Sequence, residues 1–213
     1  MRVALIGATG FVGSRMLSEA LNRGHEVTAI VRNPEKLPQH PRLKAARCDV
    51  FDEEAVAVIV ARHDAVISAF NPSRVSRDDN TPQIGGIRSL IAGMKKARVK
   101  RLLVVGGAGS LEIAPGLQLV DTPDFPPHWK AGALATREVL NILRSEQELE
   151  WCFLSPSAVL EPGQRTGHFR LGTDQLLKDS AGQSRISLED YAVAMIDELE
   201  NPRHIRRRFT VGY

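Results

Sequence analysis

The sequence predicts an α/β fold, a doubly wound parallel sheet covered by helices on both faces, with a small C-terminal lobe. Three observations point there. Strand-like and helix-like segments alternate through the first 155 residues. A glycine-rich turn at 7–13 joins the first strand to the first helix. The last third then changes character, with 156–187 rich in Gly, Ser, Pro and Arg before one more helix and a closing strand. A chain of 213 residues suits one domain with one sizeable core. Residues 1–213 therefore read as a single domain, to which 156–213 contribute the small lobe on the substrate side.

Taken in order, residues 2–6 (Arg-Val-Ala-Leu-Ile) form a short buried strand. From 11 to 23, Phe11, Val12, Met16, Leu17, Ala20 and Leu21 recur at helical spacing, and Gly24 ends the run. Residues 26–31 are strand-like, Asn33-Pro34 turns the chain, and 43–48 make a weaker strand. Asp52 can cap a helix running to about 62. The next strand is 65–70, followed by a helix over 80–98 that Gly85-Gly86 weakens, then a strand at 101–105. The stretch 111–127 carries four prolines and reads as a long loop. A helix from about 129 to 146 leads to a strand at 151–155. Ser187 opens the last helix, with Leu188, Ala192, Met195, Ile196 and Leu199 on one face and Asp190 where a capping box expects an acid. Residues 207–211 close the chain as a strand.

Composition removes several classes. Hydrophobic residues make up 43% and charged residues 25%, the balance of a globular protein and not of a disordered one. No apolar run reaches the roughly 18 residues of a membrane helix, and the N-terminus turns to glycine too early for a signal peptide. A cytoplasmic protein with no membrane partner is expected. Cys48 and Cys152 are too few for a disulfide framework and read as reduced, buried thiols. The six histidines show no metal-ligand spacing, so no metal is expected. Net charge is +3, and Arg206-Arg207-Arg208 reads as a solvated strand start or chain edge. With aromatic residues at 5%, a nucleic-acid partner is not expected.

Gly7-Ala8-Thr9-Gly10-Phe11-Val12-Gly13 carries the chemistry. Glycine allows the tight turn and the close approach of backbone to a diphosphate. The helix that follows presents free N–H groups and its positive end to that anion. Gly7, Thr9, Gly10, Phe11, Val12 and Gly13 are therefore the expected dinucleotide loop of a Rossmann-type sheet. In an NAD site an acid usually stands at the end of the second strand, about 20 residues past the glycines, and bonds the ribose 2′-hydroxyl. Here Arg32 holds that place, 19 residues after Gly13. A planar, bidentate guanidinium suits the 2′-phosphate, so NADP(H) is favoured over NAD(H).

The spacing G-x-x-G-x-x-G is similar to that of the extended and atypical branches of the short-chain dehydrogenase/reductase superfamily, and the resemblance covers nearly the whole chain. More narrowly, the chain resembles small NAD(P)H-binding proteins described as NADH-flavin reductases, kin of biliverdin reductase B and the NmrA-like proteins. Arg32-Asn33-Pro34, Asp49-Val50, the run Arg185 to Ala192 and the ending Arg208 to Tyr213 carry that likeness together with the glycine loop. The resemblance implies that Asp49 accepts a bond from the adenine amino group and that Val50 packs on the ring. Ala69, Phe70 and Asn71 after the fourth strand would line the ribose and diphosphate. Ser155, in Ser155-Pro156-Ser157, would approach the nicotinamide, since ligands sit beyond the carboxyl ends of the strands. The superfamily also admits a homodimer.

Most short-chain reductases use Tyr-x-x-x-Lys and a serine, the lysine lowering the tyrosine pKa so that the phenol protonates a carbonyl. This chain has two tyrosines, Tyr191 and Tyr213, and neither is followed four residues later by lysine. The expected region reads Pro127-His128-Trp129-Lys130, and Ser110 stands where the serine would be. Ser110, His128 and Lys130 are the remaining candidates for catalysis, the last two reading more simply as exposed polar residues. Hydride transfer to a flavin or quinone ring needs no such acid, because solvent can supply the proton. The expectation is an NAD(P)H-dependent reductase of a flavin-like or quinone-like small molecule, acting by proximity and orientation. The alternative is an NmrA-like regulator that senses NADP(H) without turnover. Arg165, Thr166 and His168, in the glycine-punctuated segment 156–187, are the candidates to face the acceptor.

Overall fold

A computed structural model describes residues 1–72 and 81–213. Within them the elements run β1 (Arg2–Ile6), α1 (Gly13–Asn22), β2 (Glu26–Val31), β3 (Leu43–Arg47), α2 (Glu53–Val60) and β4 (Ala65–Ser68). There follow α3 (Thr81–Lys96), β5 (Arg101–Val105), β6 (Glu112–Ala114), β7 (Leu117–Gln118), α4 (Pro127–Ser145) and β8 (Glu150–Ser155). The last part contains β9 (Val159–Glu161), β10 (Arg170–Gly172), β11 (Arg185–Ser187), α5 (Leu188–Glu200) and β12 (Arg207–Gly212). The helix expected over 80–98 is found as α3, and residue 80 lies outside the described residues.

The main sheet has the order β10-β12-β8-β5-β4-β1-β2-β3. All neighbours are parallel except β10 against β12. The order reverses between β1 and β4, the crevice in which doubly wound sheets bind ligands. Strands covered on both faces read as near-continuous apolar runs. β4 is buried throughout and β1 in four of five residues, whereas the edge strand β3 has no fully buried residue. Two apolar layers flank the sheet. Met16, Leu17, Ala20 and Leu21 of α1 join Tyr191, Met195, Ile196 and Leu199 of α5 on one face. Val56, Val60, Leu90, Met94, Leu140 and Leu143 of α2, α3 and α4 cover the other.

Local signals account for most of the ends. Gly24, at φ +83°, terminates α1 in the left-handed conformation that glycine tolerates. Asp52 caps α2 by accepting from Ala55 N at 3.0 Å, and Ser187 caps α5 by accepting from Asp190 N at 3.0 Å. Asp190 does not complete a capping box: the Ser187 N–H donates to the Tyr213 hydroxyl instead, at 3.3 Å. Gly85-Gly86 seats two rings. A Cβ on Gly86 would lie 2.3 Å from the Phe70 ring and one on Gly85 3.2 Å from that of Phe51. The two rings themselves meet edge to face at 6.0 Å.

Three expectations need correction. The stretch 111–127 is not only loop: β6 and β7 pair as a hairpin, pinned to the segment after β10 by Glu112 N–Asp174 O and Leu176 N–Glu112 O bonds. The helix expected from 11 begins at Gly13, leaving Phe11 and Val12 in the turn. The segment after 156 folds against the main sheet, β12 extending it beside β8 and β10 closing its edge. Within this segment β9 and β11 pair as a small parallel sheet of their own. Arg208 is not a solvated strand start. It is buried, donates to Asp174 Oδ1 through Nε at 2.8 Å and to Ser110 O at 3.0 Å, and so ties β12 to the loop after β5. Cys48 and Cys152 are free and buried, and burial pushes the Cys152 thiol up to about 12.

Candidate dinucleotide and acceptor site

The turn after β1 is built by two of its three glycines. Gly7 adopts φ +79°, and a Cβ there would stand 2.5 Å from Ala69 O, just past β4. A Cβ on Gly13 would stand 2.0 Å from Gly7 O. Both contacts are to backbone, which cannot swing aside. Gly10 differs. Its N–H closes the turn onto Gly7 O at 2.9 Å, it is exposed, and an added Cβ would meet only Gly7 O at 3.2 Å. Gly10 is thus free of the protein on its outer side, where a ligand would approach. Thr9 and Phe11 are exposed beside it, and Val12 packs partly against the α1–α5 core. Val12 offers no side-chain cap and the first turn of α1 has no acid. The positive end of that helix is left for an anion from outside the chain, and a diphosphate fits this cradle.

Arg32 is exposed just beyond β2 and makes no ion pair among the described residues. Beyond β3, Asp49 is exposed, but Oδ1 accepts from Phe51 N at 3.2 Å in a local turn. Val50 is 5% exposed within the core, and its carbonyl accepts from Ser89 Oγ at 2.7 Å, so its side chain is not presented to a ring. Phe51 is the group that is presented, 49% exposed, and no spacing rule marked it. Ala69 donates to Ile6 O at 3.0 Å and stacks under the glycine turn. Phe70 turns its ring under α3, while Asn71 is exposed at the mouth of the β1–β4 crevice.

Beyond β5 and β8 the candidates for chemistry separate. Ser110 is 3% exposed and its hydroxyl accepts from Arg208 Nη1 at 3.2 Å, so it supports β12 and is not offered to a substrate. His128 and Lys130 are exposed at the start of α4, His128 lying 4.8 Å from the Trp129 ring. Ser155 is fully buried at the end of β8, and its hydroxyl has no hydrogen-bond partner among the described residues. Tyr191 is fully buried, donates to Leu154 O at 2.6 Å, and burial raises its phenol above the ordinary range. Tyr213 donates to Asp190 Oδ2 at 2.7 Å, and burial, with the Asp190 charge, raises it as well.

A latch centred on Asp190 shapes the remaining wall. This buried carboxylate accepts from Thr166 N and Gly167 N at 2.8 Å, from Thr166 Oγ1 at 2.5 Å and from Tyr213. Burial acts to raise its pKa, but the donors from Thr166, Gly167 and Tyr213 hold it below the usual carboxylate range. Arg165 turns the other way and bonds both oxygens of Glu19 on α1 at 2.8 Å. The expectation that Arg165 faces an acceptor is therefore wrong, and Thr166 is committed to the latch. His168 is exposed. A cleft of about 280 Å³ lies beside them, lined by Gly163, Gln164, Thr166, Arg185, Ser187 and Tyr213 among others. Glu189 joins this cleft to the first turn of α1: one oxygen accepts from Gly163 N and the other from Arg15 Nε, both at 2.8 Å.

Residues 7–202 match the NAD(P)H-binding family. An uncharacterized protein of Bacillus subtilis is 42% identical, over 99% of this chain and 98% of its own. A solved structure of a candidate epimerase from Bacteroides thetaiotaomicron is 50% identical with a TM-score of 0.93, covering 100% of this chain and 96% of that one. Another, of a candidate NADH-flavin reductase from Streptococcus pneumoniae, is 35% identical with a TM-score of 0.89, over 100% and 99% of the two chains. Among the described residues no helix is long and apolar enough to cross a membrane. With the glycine cradle at the β1–β4 switch point and a match across most of its length, the chain belongs to the NAD(P)H-binding family of atypical short-chain dehydrogenase/reductases.

Proposed function

We propose that this protein is an NAD(P)H-dependent reductase that prefers NADPH and passes hydride to a flavin-like or quinone-like ring. When bound, the reduced dinucleotide supplies the hydride from its nicotinamide ring. The chain's own residues hold and orient. Gly7, Gly10 and Gly13 shape the diphosphate cradle, the uncapped end of α1 stabilises its charge, and Arg32 is free to meet a 2′-phosphate. The fate of the two tyrosines carries the reading. Tyr191 is sealed in the core and Tyr213 gives its proton to Asp190, so neither is poised to protonate a carbonyl. Both phenols are also raised, whereas a tyrosine acid is ordinarily lowered by its lysine. An acceptor that takes hydride on a ring atom and its proton from water suits such a site. The candidate flavin reductase among the similar structures supports the same class.

NADPH oxidation with FMN, riboflavin and a quinone panel, set against simple aldehydes and ketones, tests this. The expected result is turnover with the ring acceptors and none above background with the carbonyls. Efficient ketone reduction would overturn the reading, and reduction lost in His128→Ala would identify the acid that replaces tyrosine. NADPH binding without turnover of any acceptor would favour a dinucleotide sensor.

A further inference from the structure

We propose that Gln83 reads the bound ring: its side-chain oxygen is reserved for an N–H on the planar heterocycle held over the ends of β5 and β8. The proposal deepens the reductase reading and rests on it for the acceptor. Three buried side-chain atoms lack a hydrogen-bond partner among the described residues: Gln83 Oε1, Arg101 Nε and Ser155 Oγ. Arg101 starts β5, at the opposite edge of the sheet, in a buried ion pair with Glu198 at 2.7 Å. The other two belong to the carboxyl edge. Buried polar groups are ordinarily paired, so two orphans at the ligand-binding edge of one sheet call for a partner from outside the chain.

The orientation of the Gln83 amide is set by its neighbours. Gln83, in the first turn of α3 and 7% exposed, donates through Nε2 to Thr136 Oγ1 at 3.2 Å. The Thr136 hydroxyl donates its one proton to Gly132 O at 2.8 Å, so toward Gln83 it can only accept. Turning the amide over would set oxygen against oxygen. Oε1 is therefore left as an acceptor without a donor. The same threonine locates the group: its Cγ2 lies 3.1 Å from where a Cβ on Gly107 would be, just past β5. Gly106 donates to Leu154 O at 2.8 Å, next to Ser155. With the 2′-phosphate end of the dinucleotide directed to β2, the ends of β5 and β8 receive its ring half and the acceptor.

The chemistry of an isolated acceptor selects its ligand. A quinone ring presents only carbonyl oxygens and gives Gln83 nothing. A flavin carries an imide N–H between two carbonyls, and the nicotinamide carries a carboxamide N–H. Either satisfies Oε1, and the two are separated by analogues that lack the hydrogen.

The test measures Kd by fluorescence for the wild type, Gln83→Met and Thr136→Val. The ligands are NADPH and its 3-acetylpyridine analogue, and, with NADP⁺ present, riboflavin and N3-methylriboflavin. Thermal melting checks the fold of each variant. The expected result is that Gln83→Met weakens one parent ligand about tenfold, the size of one lost hydrogen bond, and leaves its N–H-free analogue unchanged. Thr136→Val, which frees the amide to turn, should give a smaller loss of the same kind. Should Gln83→Met fold poorly, the wild type decides, with weaker binding of one analogue than of its parent expected. Equal loss for parent and analogue, or no loss for either pair, overturns the proposal. Because binding is read without turnover, absence of catalysis would overturn the reductase reading alone.

Discussion

Gly10→Val is expected to weaken dinucleotide binding by at least about 100-fold while leaving the fold in place. The middle glycine is the one whose outer side is clear of protein. A branched side chain there meets no core atom, yet it fills the space in which backbone N–H groups and the α1 terminus approach a diphosphate. Each charge-assisted bond lost removes roughly 1.5–3 kcal/mol, or about 10- to 150-fold, and a displaced diphosphate loses more than one. The outer glycines should behave oppositely. Gly13→Ala drives a Cβ to 2.0 Å from Gly7 O, so the turn itself must open and stability should fall. Calorimetric titration with NADPH beside a thermal melt separates the two effects. Undiminished binding by a well-folded Gly10→Val variant would show that the diphosphate lies elsewhere.

Arg32→Ala is expected to weaken NADPH by about 10- to 150-fold and NADH by little, the difference being one charge-assisted contact worth roughly 1.5–3 kcal/mol. The guanidinium is exposed and unpaired among the described residues, so its removal strands no partner in the protein. A loss confined to the phosphorylated cofactor therefore reports on the 2′-phosphate. The contrast should shrink at high salt, as expected for a charge near solvent. Equal losses for the two cofactors would mean that Arg32 supports the strand end and does not read the phosphate.

Much of the fold that frames this candidate site was legible in the sequence because its determinants are local. The glycine spacing, the apolar runs of the central strands, and the caps Asp52 and Ser187 act within a few residues of themselves. What was not legible depends on partners far along the chain. Ser110 looks like a catalytic serine until Arg208 of β12 takes its hydroxyl. Arg165 looks like a substrate contact until Glu19 of α1 claims it. Asp190 has the spacing of a capping box, but Thr166, Gly167 and Tyr213 converge on it from other elements. The hairpin at 112–118 is too short for alternation to show. Gln83 carries no motif, and only the commitment of the Thr136 proton marks its oxygen as unmet. In sequence the Gly85-Gly86 pair is a weakness of α3, whereas in the fold it is where Phe51 and Phe70 lie against the helix.

The central claim is that reduction here needs no tyrosine acid. Anaerobic single-turnover mixing of NADPH with riboflavin, in the wild type and in Tyr213→Phe, tests it most directly. The substitution removes the only tyrosine hydroxyl on the cleft and keeps the ring. The account predicts flavin reduction in both, with the rate constant at saturation unchanged within about twofold, an effect under about 0.5 kcal/mol. A loss of a hundredfold or more in that rate constant, with NADPH binding intact, would contradict it.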